Sequence, residues 1–532
     1  MVSINSQDKN LLETNKVIVI AVVLLFIDIL VQGFFINKID FISPQDAGFL
    51  NFAREIVSPE EMTEADKELT ENYKNHTPLY PLISGIIYIL TGNLDRVPAI
   101  CYVIFSAALI IPVFLISLRV YGKETAIISS LLLIFIPALS ITIYYSLRHV
   151  IFNFFLYLSL YFILIAYLDK KTANYALGGF FLGMTYLARG EGLIVFLVIC
   201  LVIILMLLFE KKLQKKHGFK IFIIFIGGFL ICFIPHILYV YNSTGQLSFG
   251  GDRNYKYYVF TTGQGVVDNV KGDTDALVEY GYKIYGSAEE NNNSIFNAIK
   301  KNPKAYISRI IKNFKNLLDV LPSTLLIPFF LYPFCGLALI ELLNNDEQLK
   351  VAILFISVVM SFVFLLTIIY YVQTKLLTPI VPIVLTWAAY GIKKTQDAIR
   401  EQRLLKFAYL PLVLTILPLA IIFYVYIKPL SENIPREMKN IGEWIKANTL
   451  PSDMIVIQKE WYDEKLYLQY YSRRKVRKDN LKNLEFFRNT KDGDPVLIVK
   501  NKELYPFKEK IIYSVLKVFS VKNKKIVIYE AS

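Results

Sequence analysis

Eleven stretches of this 532-residue chain are apolar over enough length to cross a lipid bilayer. They fall near residues 17–36, 96–119, 124–145, 149–168, 172–188, 190–209, 219–241, 321–343, 349–372, 376–393 and 404–427. Crossing about 30 Å of hydrocarbon takes roughly 20 apolar residues in a helix, fewer where the flanks reach the interface. Lipid offers the backbone no hydrogen bonds, so runs of this length select helices, which satisfy their own N–H and C=O groups. The runs 172–188 and 376–393 are the shortest. No small-residue cleavage site follows the first run, which therefore reads as a retained anchor. The expected fold is an α-helical polytopic membrane protein with about eleven transmembrane helices.

Composition points the same way. Hydrophobic residues make up 55% and charged residues 19%, with a mean hydropathy of +0.46; soluble domains carry about a quarter charged residues. That deficit excludes an ordinary soluble enzyme, a disordered chain and a nucleic-acid binder. The net charge of +13 is read as lysines flanking spans. Cys101, Cys200, Cys232 and Cys335 all sit in apolar runs, without metal-ligand spacing, and read as core residues.

Positive residues concentrate in short cytoplasmic loops. Arg119–Lys123, Asp169–Lys171, Glu210–Lys220 and Lys393–Arg403 are short and basic, and share one side if the N-terminus is cytoplasmic. The longer hydrophilic pieces then face out: residues 37–95, 243–320 and everything after about 430. Within the first, the Pro78–Gly92 segment is too short to span and reads as interfacial. Near 295–317 apolar and basic residues alternate at helical spacing, broken by Pro303, as in amphipathic helices on a membrane surface. The division is therefore 1–429 membrane domain and 430–532 small external α/β domain. The latter carries strand-like DMIVIQ, PVLIVK, LKVFSV and KIVIYE segments around helical patterns at 436–448 and 462–472. The protein is placed in the plasma (inner) membrane, with its C-terminal domain external.

Charge inside a span is costly and marks pathways. Asp28 is the one charge clearly within a span, which counts against a transporter. Polar candidates gather instead at the predicted outer ends: Asp40 and Asp46, Lys74 and His76, Arg148 and His149, Arg189 and Glu191, and Lys375. A carboxylate among cations at an interface suits a lipid-phosphate donor and a hydroxyl acceptor. The carboxylate takes the proton and the cations hold the leaving phosphate.

These pieces resemble the C-type (GT-C) glycosyltransferases, which include the protein O-mannosyltransferases and bacterial aminoarabinose transferases. Ser43-Pro44-Gln45-Asp46-Ala47-Gly48-Phe49 resembles that family's acidic motif in the first outer loop. His76-Thr77-Pro78-Leu79-Tyr80-Pro81-Leu82 is similar to its HPPLYPLL segment. Gly183 through Arg189-Gly190-Glu191-Gly192-Leu193 resembles its GLAxLTRPEGLL turn, and Lys375-Leu376-Leu377-Thr378-Pro379 with Pro382 its RYLLPLLP stretch. The likeness covers residues 1–427. It departs from the pattern at Gln45-Asp46 for Asp-Glu, at Arg148-His149 for Ser-Glu, and at Lys375 for arginine.

The resemblance implies transfer of a hexose or pentose from a polyprenyl-phosphate-sugar donor to a glycan, lipid or protein hydroxyl on the outer face, with inversion. It implies Asp46 as base, with Asp40 secondary. Arg148, Arg189 and Lys375 are the expected donor-phosphate holders, and His76, His149, Glu191 and Lys74 secondary substrate contacts. No cofactor is expected, and no metal site is assigned; a divalent metal would need Asp40, Asp46 or His76 brought together. Partners are the donor, the acceptor and membrane lipids, with no nucleic acid. Asp46 also stands where a helix cap is wanted, His236 reads as a packing histidine, and Asp252-Arg253-Asn254 as surface. The other function classes are a lipid or glycan transporter or flippase and a non-catalytic envelope-assembly subunit.

Overall fold

The computed structural model describes residues 6–36, 42–71, 73–74, 76–140, 142, 147–209, 215–244, 255, 258–260, 274–344, 346–369, 371–432, 436–458, 462–479, 494–499, 513–521 and 524–531. The chain is a mostly helical integral membrane protein with a small C-terminal sheet. Among the described residues, seven helical stretches are long and apolar enough to cross a membrane: Asn15–Ile36, Leu94–Tyr121, Arg148–Asp169, Gly218–Asn242, Val351–Ile369, Thr374–Glu401 and Leu405–Ile427. Each coincides with one of the eleven runs.

The count of eleven is not confirmed. Thr172–Ala188 and Gly192–Phe209 are helices of 17 and 18 residues. The run at 124–145 is interrupted: its helix stops at Ile134, and Pro137 opens a separate turn. In 321–343 the helix starts only at Tyr332, behind Pro322 and Pro328. Proline lacks the N–H that would continue a helix, so an apolar run can be long while its helix is short.

By internal contacts the chain divides into two compact units. The first comprises Met1–Ile39, Ala99–Phe249 and Ser308–Glu432. Here the Thr172–Ala188 helix packs backbone to backbone on the Lys215–Thr244 helix. A Cβ at Gly179 would lie 2.0 Å from the Phe225 carbonyl oxygen, and one at Gly183 2.7 Å from Cys232 Cβ. Two glycines four apart are what such a contact between membrane helices needs. The seam fixes the helix that ends at Arg189.

Asp28 is buried in the same unit, within a polar knot. Gln32 Nε2 donates to Asp28 Oδ1 at 3.1 Å and Ser106 Oγ to Oδ2 at 3.1 Å. Tyr102 donates to Ser140 Oγ at 3.0 Å, and Ser140 to Gln32 Oε1 at 3.2 Å. A satisfied network of this kind ties the first span to its neighbours. The four cysteines lie buried, and His236 Nδ1 sits 2.9 Å from the Tyr186 hydroxyl, a packing role.

The second unit comprises Asp40–Pro98, Gly250–Ile307 and Asn433–Ser532. Its sheet has strands β1 (Met454–Gln458), β2 (Lys475–Asp479), β3 (Asp494–Val499), β4 (Tyr513–Val521) and β5 (Lys524–Ala531), in the order β2-β1-β3-β5-β4. β1 runs parallel to β2 through the Tyr462–Ser472 helix, and β3 parallel to β5; the other two pairings are antiparallel. Ile455, Val456 and Ile457 face Ile498, Leu497 and Val496, all buried, so both faces of the central strands are covered.

One carboxylate organises the rest of this unit. Asp66, fully buried, accepts from Thr63 N at 3.0 Å and Thr63 Oγ1 at 2.9 Å. Arg54 lies 3.4 Å away and Arg473 Nη2 2.8 Å away. It thereby joins the Pro44–Val57 helix, its own Glu64–Glu71 helix and the end of the Tyr462–Ser472 helix.

Candidate functional site

In the first unit the cations expected to hold phosphate converge. The Thr172–Ala188 helix stops at Arg189, whose backbone is extended and whose N–H still bonds the Thr185 carbonyl. The chain then turns through Gly190 and Glu191 into the Gly192–Phe209 helix, with Gly192 N–H donating to Arg189 O at 3.0 Å. The turn sets Arg189 against Glu191, Nη2 to Oε1 at 2.5 Å and Nε to Oε2 at 3.3 Å. The same guanidinium donates to the His149 ring, its Nη1 lying against both Nδ1 and Nε2, the latter 3.0 Å away, and it lies 5.8 Å over the Phe152 ring. Arginine has no acceptor, so the imidazole nitrogen facing it carries its lone pair.

His149 and Arg148 open the Arg148–Asp169 helix, with His149 buried and Arg148 partly exposed. Arg148, Arg189 and Lys375 all stand within electrostatic reach of His149, and Arg148 also within reach of Glu191. Lys375 arrives from a different part of the chain. The Asp346–Phe364 helix widens into a π turn at Leu365–Ile369, and Lys375 follows in the short Thr374–Leu377 helix. Tyr157 anchors that segment to the Arg148–Asp169 helix, donating to Pro379 O at 2.7 Å and accepting from Ile383 N at 3.0 Å. The Ile383 N–H is one of the orphan donors in a first helical turn, so the tyrosine satisfies a group the helix cannot. Three cations from three segments thus stand near one histidine, and two of them, Arg148 and Arg189, also stand near the Glu191 carboxylate.

Sequence reasoning passed over two residues here. Tyr157 carried no signal, being one more aromatic in an apolar span. Asn153 stands one turn beyond His149, fully buried, with neither carboxamide atom bonded to any described residue. A lone asparagine four residues past His149 was its available signal.

In the second unit Asp46 and His76 lie near the start of the Pro44–Val57 helix, while Lys74 lies toward its other end. The cap of that helix is Ser43, not Asp46. Ser43 Oγ accepts from Asp46 N at 3.1 Å and donates to Asp46 Oδ2 at 2.7 Å, with Pro44 in the first helical position. Asp46 itself is fully buried. Beyond it, His76 stacks on Tyr73 at 5.2 Å between ring centroids and meets Phe49 edge-on at 4.9 Å. Gly48 leaves room for Tyr73, because a Cβ there would lie 2.1 Å from its ring. Lys74 is engaged by Glu55 at 3.0 Å and Glu71 at 3.2 Å. The Glu55 carboxylate holds that ammonium above its ordinary range.

Asp40 and Asp252-Arg253-Asn254 lie outside the described residues, as does the side chain of Gln45. Among the described residues no three His, Cys, Asp or Glu side chains are placed to hold a metal ion.

Comparison with known proteins matches residues 75–239 to the family described as dolichyl-phosphate-mannose-protein mannosyltransferase. No curated protein matches in sequence. Solved structures match over most of the chain. ArnT from Cupriavidus metallidurans, bound to undecaprenyl phosphate, superposes with a TM-score of 0.56 at 11% identity, over 96% of this chain and 97% of that one. The oligosaccharyltransferase AglB from Archaeoglobus fulgidus, with an inhibitory peptide and a dolichol-phosphate, gives 0.56 at 13% identity, over 86% of this chain. This chain spans about 64% of the AglB length. The resemblance drawn from the motifs is borne out: the family match lies inside residues 1–427, and the fold is that of C-type glycosyltransferases.

Proposed function

We propose that this chain, which carries the fold of the C-type glycosyltransferases, transfers a sugar from a polyprenyl-phosphate donor to a hydroxyl acceptor. The observation that carries this is the convergence of Arg148, Arg189 and Lys375 on His149, with Arg148 and Arg189 also beside Glu191. Such a set suits a lipid phosphate at a membrane boundary better than a soluble anion, because these side chains sit at the ends of apolar helices. The two solved relatives hold undecaprenyl phosphate and dolichol-phosphate.

In the proposed reaction the acceptor oxygen forms a bond to the anomeric carbon as the carbon–oxygen bond to the phosphate breaks. Configuration inverts, and the acceptor proton passes to a carboxylate, assigned to Asp46. The polyprenyl phosphate leaves with its charge balanced by the three cations. Ser43, by donating to the Asp46 carboxylate, fixes its orientation. The working side is taken to be the outer face, from the lysine asymmetry of the short loops.

The test is reconstitution. Purified protein in liposomes, given a panel of polyprenyl-phosphate sugars, should release the polyprenyl phosphate and label an added acceptor. Failure to bind any polyprenyl phosphate, with the protein folded, overturns the proposal. Reporter fusions after Lys171 and Gly286 should read cytoplasmic and external respectively; the reverse would invert the assignment of sides.

A further inference from the structure

From the Pro303–Val320 helix we infer that this chain carries a second membrane contact besides its spans: an amphipathic arm that docks on an anionic lipid surface. The inference does not depend on the transferase proposal.

The helix presents three distinct faces. Arg309, Asn313 and Leu317, at helical spacing, are buried. Arg309 Nη2 donates to Ile369 O at 2.9 Å, and Asn313 Nδ2 to Leu366 O at 3.2 Å and Thr367 O at 3.1 Å. These carbonyls belong to the π turn that closes the Val351–Ile369 span, so the helix lies at the level where that span leaves the bilayer. A second face is apolar and uncovered. Ile307, Ile311, Phe314 and Leu318 are 57%, 55%, 52% and 56% exposed, and recur at the 4-3-4 spacing that makes one straight stripe. Between that stripe and the far side run Lys304, Lys312 and Lys315, of which Lys304 and Lys315 are exposed.

Four large apolar side chains in a row facing water are costly, and the lysine flank identifies what covers them. An apolar stripe bordered by lysines matches the boundary between acyl chains and anionic headgroups. The helix is anchored at that boundary by its buried face, and the neighbouring Val351–Ile369 span leaves its own apolar flank uncovered at Ile353, Ile356 and Met360. A second copy of the chain or a soluble partner would give the lysines no comparable counter-charge. Docking here has a consequence for the cation set. The helix that would rest on the lipid also supplies the hydrogen bonds that the π turn before Lys375 needs.

The test uses full-length protein in vesicles. In F314W, the fluorescence added over the parent should be quenched by lipids brominated near the headgroup end of the acyl chain. Quenching should be stronger in phosphatidylglycerol than in phosphatidylcholine vesicles. Each lysine near an anionic surface shifts the docked-to-free ratio by about fivefold, so K304E/K312E/K315E should erase that lipid preference. I311W, one turn away, should respond alike. Water-like, unquenched emission from both tryptophans overturns the inference, as does shielding that depends on protein concentration and not on lipid.

Discussion

Arg189→Lys separates a phosphate holder from a structural strut. The guanidinium grips Glu191 through two N–H groups, turns another toward His149, and lies over Phe152. Lysine keeps the charge and loses the fork, so it holds one oxygen where arginine holds two. A charge-assisted bond of this kind is worth about 1.5–3 kcal/mol. For folding the loss is reduced by solvent, since the side chains of Arg189 and Glu191 are 10% and 21% exposed; about 1 kcal/mol remains. Donor use should bear the full loss, a drop of about tenfold to a hundredfold at limiting donor. The assay is initial rates across donor concentration, beside thermal unfolding of the same preparations. Glu191→Gln makes the comparison decisive. It keeps the size of the side chain but removes the charge that holds the guanidinium, so it should lower stability without weakening donor saturation. Unaltered donor saturation in Arg189→Lys would refute the phosphate role. Equal losses in the two variants would reassign the pair to holding the turn.

Three further outcomes follow from the structure. Asp46→Asn keeps the shape that accepts from Ser43 but removes the base, so transfer should fall about 10²–10⁴-fold with donor binding unchanged, measured by turnover beside polyprenyl-phosphate binding. Asp66→Asn strips the counter-charge from Arg54 and Arg473; a buried pair broken on one side costs about 3–5 kcal/mol, and partial exposure of the arginines brings this to about 2–3, read as a lower unfolding midpoint. Asn153→Leu replaces a buried carboxamide bonded to no described residue, and should stabilise the protein by about 1–3 kcal/mol in thermal unfolding; a loss of stability would show that the carboxamide has a partner outside the described residues.

The membrane class was legible because span length and hydropathy are local properties: each helix bonds its own backbone, so no tertiary partner is needed to recognise one. At 137 and at 322 and 328 proline interrupts the helix within an apolar run, because an apolar composition does not guarantee a continuous helix. β2 was missed for the complementary reason. In Lys475–Asp479 only Val476 is apolar, and its strand conformation comes from pairing alongside β1, not from its own alternation.

The candidate residues divide in the same way. The motifs around Asp46, His76, Arg189 and Lys375 stood out because each couples polar groups to the end of an apolar run. Which of them meet could not be read from spacing. Arg189 and His149 are 40 residues apart in sequence, and Lys375 reaches them from a segment that Tyr157 ties to the Arg148–Asp169 helix. Asp66, unremarked among the acidic residues of its loop, became a keystone once Arg54 and Arg473 arrived from opposite ends of the chain. By itself the sequence determined the helical membrane architecture and the side chains available for chemistry, since both depend on composition within a single helix or turn. Only the tertiary structure decided which charges share a neighbourhood, because that depends on helix seams such as Gly179 and Gly183 and on hydrogen bonds between segments distant in the chain.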